Sequence, residues 1–163
     1  ITRAREVGIP VRVVDYTRFP EKGAFESALL AAMKSLDADL FVLAGYMRIL
    51  GPGIVREFSG RMINIHPALL PSFAGLHAQR QALEYGVKVS GCTVHFVDEG
   101  MDTGPIIVQA CVPVLDSDDE ERLADRILAE EHRCLPLAVK LYCEGRLALI
   151  GRRVVLDKAG PGA

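Results

Sequence analysis

Residues 40–66 read LFVLAGYMRILGPGIVREFSGRMINIH. Leu40 to Ala44 is a continuous apolar run, the pattern of a strand covered on both faces in a parallel sheet. Gly45 to Arg48 ends that run, and Pro52 suits the first position of a short helix carrying Ile54, Val55 and Phe58. Met62 to Ile65 is a second strand, stopped by Pro67. Strand, helix, strand in this order calls for parallel neighbours joined by a crossover. The same rhythm extends outward. Upstream, Ile1 to Gly8 resembles the last turns of a helix closed by glycine, and Val11 to Asp15 a short strand. Residues 23–36 then place Phe25, Leu29, Ala32, Met33 and Leu36 on one helical stripe. Downstream, a helix over about 76–85 ends at Gly86, and Val89 to Val97 and Ile106 to Val114 form two β-branched strands. Ser117 to Glu120 reads as a capping box opening a long helix, kinked at Pro136, that buries Leu123, Ile127, Leu128, Cys134, Leu135, Ala138 and Tyr142. Short strands near 147–150 and 153–156 close the chain. The expected fold is α/β: an open, mostly parallel twisted sheet with helices on both faces, Rossmann-like, leaning antiparallel towards its C-terminal part. Residues 1–156 are expected to form one domain and 157–163 a flexible tail. A domain rarely starts partway through a helix, so one or two N-terminal βα units are expected to be missing from this chain.

The 163 residues are 50% hydrophobic and 25% charged, enough for one domain with a self-sufficient core. Nineteen Lys and Arg against 21 Asp and Glu give a formal charge of −2. With no block of like charge, the electrostatic footprint of a nucleic-acid binder is missing. No apolar run approaches the roughly 20 residues that span a bilayer. Cys92, Cys111, Cys134 and Cys143 form no CxxC and fit reduced thiols in a cytoplasmic protein. Four scattered histidines without HxH or HExxH argue against a metal site. Neither GxGxxG nor GxxxxGK[ST] occurs.

The chemistry concentrates at Asn64-Ile65-His66-Pro67. Side chains alternate along a strand, so Asn64 and His66 project to the same side, their Cα atoms roughly 6.5–7 Å apart. Both sit at the strand's carboxyl end, where open α/β sheets place their ligand crevice. An amide donor beside an imidazole suits a developing oxyanion, although an isolated Asn-x-His reads first as a pair that caps the strand and satisfies loop backbone. Asp102, in the turn-rich loop 98–105, reads first as an Asx-turn residue. If that loop folds over His66, its carboxylate favours the imidazolium, and the three side chains serve proton transfer without a covalent nucleophile. His95, on the strand face opposite Val94 and Phe96, reads first as structural. Glu131 reads as a solvated helix residue unless its face turns to the crevice. Met47-Arg48-Ile49-Leu50 is either an ordinary connection or an apolar seat for a flat heteroaromatic ligand held by backbone groups.

Four blocks in fixed order carry a family resemblance: LAGYMRIL (43–50), NIHPALLPSFAGLHAQRQAL (64–83), GCTVHFVDEGMDTGPIIVQ (91–109) and EEHRCLP (130–136). Over about residues 1–150 the chain resembles the phosphoribosylglycinamide formyltransferases, folate-dependent enzymes of purine synthesis. The resemblance implies a formyltransferase fold and formyl transfer from 10-formyltetrahydrofolate to glycinamide ribonucleotide, without metal, in the cytoplasm, by a monomer or homodimer. It implies Asn64, His66 and Asp102 as the catalytic trio. Met47, Arg48, Ile49, Leu50, Val97, Asp98 and Asn64 match the folate site, and Lys22 the reach towards a folate glutamate tail. Pro67, His95 and Glu131 match positions near glycinamide ribonucleotide. The family's phosphate-gripping first strand and loop are not in this sequence. Two alternatives stand beside it: a formyltetrahydrofolate deformylase, which delivers water to the same formyl group, and a non-catalytic folate- or nucleotide-binding fragment.

Overall fold

The computed structural model describes residues 1–156; the tail expected at 157–163 lies outside them. The chain divides into two compact units, residues 1–39 and 40–163.

In the first unit, α1 (Thr2–Glu6) is followed by a 3-10 turn (Tyr16–Arg18) and α2 (Lys22–Lys34). Gly8 at φ +74° follows α1, the left-handed conformation that ends helices and suits glycine. Val11 to Asp15 is not a strand, contrary to the sequence expectation. Its alternating pattern finds no ladder, and a strand exists only through its ladder. Asp15 instead caps the 3-10 turn, its carboxylate accepting from the Thr17 N–H. The rings of Tyr16 and Phe19 meet Phe25 of α2 edge-on at 5.1 and 5.7 Å.

In the second unit the order is β1 (Phe41–Leu43), α3 (Pro52–Glu57), β2 (Met62–His66), α4 (Ala78–Tyr85), β3 (Val89–Phe96), β4 (Ile106–Pro113), α5 (Glu120–Cys143), β5 (Leu147–Ile150) and β6 (Arg153–Leu156). Strands β1 to β4 form one sheet in sequence order, and β5 and β6 a separate antiparallel pair. The β1-α3-β2 unit has the expected parallel pairing. The antiparallel lean begins at β2 itself, since β2/β3 and β3/β4 both run antiparallel.

Two local expectations change. β1 is not covered on both faces: Val42 is 41% exposed, and β1 is an edge strand among the described residues. Helix α5 starts later than its proposed capping box. Asp119, not Ser117, is its N-cap, accepting from the Arg122 N–H at 2.8 Å. Asp118 is diverted into a clamp, its carboxylate taking two bonds from the Arg126 guanidinium at 2.7 and 2.9 Å and one from the Leu115 N–H at 2.8 Å. Pro136 lies within α5, which continues past it to Cys143.

The core lies between one face of the sheet and the helices α4 and α5. Ile63, Cys92, Val94, Phe96 and Val112 from the strands meet Ala82 of α4 and Leu123, Ile127, Cys134 and Ala138 of α5. Burial, with Cys134 and Glu131 nearby, pushes the Cys92 thiol up to about 12, so it stays protonated and inert. Because side chains alternate, Asn64, His66, Thr93 and His95 project from the other face. The register sets them in rows, Asn64 opposite His95 and His66 opposite Thr93, which in turn faces Gln109 of β4.

Candidate active site

The end of β2 places Asn64 and His66 side by side, and both neighbouring loops close on them. The connection 67–77 leaves β2 and turns sharply: Leu70-Pro71 is cis, and Phe73 and His77 adopt positive φ. Its backbone reaches the imidazole, whose Nε2 lies 2.8 Å from the Phe73 carbonyl oxygen. The loop between β3 and β4 brings Asp102, whose Oδ2 lies 3.4 Å from His66 Nδ1 and accepts from the Gly75 N–H at 2.8 Å. The imidazole is only 5% exposed. Both of its nitrogens face acceptors, the Phe73 carbonyl and the Asp102 carboxylate.

The β3–β4 loop is built to present that carboxylate. The Asx turn expected at Asp102 is made instead by Asp98, which accepts from the Gly100 N–H and the Thr103 hydroxyl. Asp102 is thereby free to point inward. It pays for this with φ +53°, a left-handed conformation that Asp tolerates better than most residues. Gly104 packs so closely beneath the loop that a Cβ there would sit 1.7 Å from the Phe96 carbonyl oxygen. Arg152, in the β5–β6 turn, donates to the Thr103 carbonyl at 2.6 Å.

His95 is both structural and part of the cluster. Its Nδ1 lies 2.8 Å from the Phe96 carbonyl, which assigns the ring proton to that nitrogen. Nε2 is then an acceptor for the Asn64 amide at 3.3 Å. Asp102 Oδ1 lies 3.7 Å from the same nitrogen. Burial lowers the His95 pKa despite that carboxylate, in keeping with a neutral ring.

Glu131 is not a solvated helix residue. It lies on the buried stripe of α5, one turn from Ile127 and Cys134. Burial raises its pKa, while the charges of His132 and His66 act the other way. Pro67 is half-buried at the start of the connection. Met47 and Ile49 are 76% and 54% exposed beside buried Leu50, so the segment offers apolar surface instead of filling the core. Val97 and Asp98 lead into the loop carrying Asp102. Lys22 belongs to the first unit, where it opens α2 and pairs with Glu26 at 3.4 Å. Among the described residues no three His, Cys, Asp or Glu side chains group as metal ligands. No described helix is long and apolar enough to cross a membrane.

Sequence reasoning missed Thr93 and Gln109. Thr93 is fully buried and bonds the β2 connection twice, donating to the Ala68 carbonyl at 2.6 Å and accepting from the Leu70 N–H at 3.1 Å. Alternation from His95 puts Thr93 on the site face, a signal present in the sequence.

Residues 1–139 match the protein family described as formyl transferase. The chain belongs to the formyl transferase family. Among relatives of this formyl transferase, the trifunctional purine biosynthetic protein adenosine-3 of Drosophila melanogaster is 49% identical over 94% of the chain. The match spans only 11% of that much longer protein. The phosphoribosylglycinamide formyltransferase of Mycobacterium tuberculosis (strain CDC 1551 / Oshkosh) is 48% identical over 94% of the chain and 74% of its own length. Glycinamide ribonucleotide transformylase 1 from Symbiobacterium toebii superposes with a TM-score of 0.92 at 54% identity, covering 96% of this chain and 74% of that one. A formyltetrahydrofolate deformylase from Pseudomonas syringae shares the fold at a TM-score of 0.89 but is 32% identical, with 52% of its chain covered.

Proposed function

We propose that this protein transfers the formyl group of 10-formyltetrahydrofolate to the primary amine of glycinamide ribonucleotide, a cytoplasmic step of purine synthesis. The observation that carries the reading is the convergence of Asn64, His66 and Asp102 in a formyl transferase chain. The amine attacks the formyl carbon in its unprotonated form, accessible because α-amino groups have a pKa of roughly 7.7–8.0. A tetrahedral intermediate forms, and its oxygen takes the charge. The Asn64 amide donates its second N–H to that oxygen, and the His66 imidazolium, its ring nitrogens directed at Phe73 and Asp102, stabilises it by charge in a water-poor site. Asp102 keeps the ring oriented and charged. The C–N bond to the folate then breaks, and the proton lost by the amine goes to the departing nitrogen, relayed through water held at Asp102.

The segment Met47–Leu50, with Met47 and Ile49 exposed, and the loop from Val97 suit the folate ring, with Pro67, His95 and Glu131 beside the ribonucleotide. The test incubates the full-length protein with 10-formyltetrahydrofolate, with and without glycinamide ribonucleotide. Formylated ribonucleotide, with no formate released in its absence, supports the reading. Formate released without ribonucleotide marks a deformylase, and folate binding without turnover marks a binding fragment; either overturns it.

A further inference from the structure

We infer that Gln109 is a positioning residue for His66, acting from two strands away through the β2 connection. The inference rests on the reading of His66 as a working residue of the site. Gln109 ends a row that runs across the sheet from His66 through Thr93. Its amide Nε2 donates to the Leu70 carbonyl at 3.0 Å and to the Thr93 hydroxyl at 2.9 Å. Thr93 in turn holds Ala68 and Leu70. Residues 68–70 are therefore held to the sheet by a small, closed polar network. A few residues on, the same segment supplies the Phe73 carbonyl to His66 Nε2 and the Gly75 N–H to Asp102.

The geometry of both catalytic side chains thus depends on where this backbone lies. Its far end is tied as well, since the Gln81 amide donates to the Ala74 and Leu76 carbonyls. Only the near end hangs on the sheet row, and there the hydroxyl of Thr93 has its donor and acceptor capacity filled. Removing the Gln109 amide leaves the Leu70 carbonyl without that bond and lets residues 68–70 lift. A shift on the order of 1 Å remote from chemistry can cost up to about 100-fold in rate. Gln109 itself lies at the exposed rim of β4, so replacing it hollows no core.

The experiment compares Gln109→Met, Thr93→Val and Thr93→Ser with the wild type in the full-length protein. Gln109→Met keeps the side-chain length without the donor, and Thr93→Ser keeps the hydroxyl. Three readouts are taken: kcat and KM for both substrates, melting temperature, and the ¹⁵N resonances of the His66 ring. The expected result is a kcat loss of about ten-fold or more in Gln109→Met and Thr93→Val, at KM within two-fold. The His66 resonances move in both, and Thr93→Ser restores the wild-type values. A lowered melting temperature with unmoved kcat and unmoved His66 resonances would overturn the inference, leaving Gln109 a merely structural tie. Should the wild type transfer no formyl group, the functional reading falls on its own. The His66 resonances then still decide the positioning: movement in Gln109→Met supports it, and none overturns it.

Discussion

His66 stands between two acceptors, a carbonyl at 2.8 Å and a carboxylate at 3.4 Å, and its neighbour Asn64 leans on a neutral His95. The arrangement separates two imidazoles by environment: one against a carboxylate and a carbonyl, the other desolvated with its pKa lowered. Removing one oxyanion donor typically costs about 10²–10³ in rate. His66→Ala is expected to lose at least that factor in turnover, with circular dichroism and melting temperature near wild type. Asp102→Asn is the sharper variant, because an amide oxygen still accepts from the Gly75 N–H while the charge disappears. A loss of about 100-fold in turnover with an intact fold assigns the effect to charge; turnover within two-fold of wild type removes Asp102 from the mechanism. At this scale the sequence was readable only where distance along the chain is short. Asn64 and His66 share a face because strand side chains alternate. That Asp102 reaches His66, and that Asp98 rather than Asp102 makes the Asx turn, depends on how a glycine-rich loop folds back.

The helix and strand boundaries were legible wherever a periodic apolar pattern met a breaker. The pairs 147–150 and 153–156, the helix stop at Gly86 and the proline start of α3 all lie where turn chemistry places them. Propensity failed where a partner decides the outcome: Val11 to Asp15 has strand residues but no ladder, and β1 has an apolar run but an open side. The start of α5 shows competition between good local choices. Asp118 can cap, yet the Arg126 fork two turns on offers it a charge-assisted pair and leaves the cap to Asp119. That pairing holds the Asp118 carboxyl down at about 2, against an ordinary 3.8. The sign follows: a depressed carboxyl contributes stability that is present above its ordinary value and lost as pH falls through about 2. Asp118→Asn is therefore expected to be less stable than wild type at neutral pH, the gap closing as pH falls from about 4 to 2. Urea titrations across that window check it, and a gap independent of pH would refute the clamp.

Across the second unit, the sheet puts the main core and the catalytic trio on opposite faces, with Glu131 of α5 reaching the charge of His66. The face carrying Ile63, Val94 and Phe96 is sealed by α4 and α5, while the opposite face carries Asn64, His66 and His95. Ile127 is fully buried at the centre of the sealed side. Ile127→Ala is expected to cost about 2–5 kcal/mol of stability, read by urea unfolding. At 25 °C the folded fraction should keep kcat within a few-fold of wild type; a catalytic loss matching His66→Ala would show that the two faces are not independent. The trio, the loop from Val97 and Glu131 all belong to the second compact unit. Taken alone, the sequence determined the α/β class, most helix stripes and the pairing of Asn64 with His66, because each follows from periodicity and turn chemistry within a few residues. Only the tertiary structure decided that Asp102 meets His66 and that Thr93 and Gln109 tie down the β2 connection. Those contacts join residues distant along the chain, and their energy depends on backbone positions that no local pattern encodes.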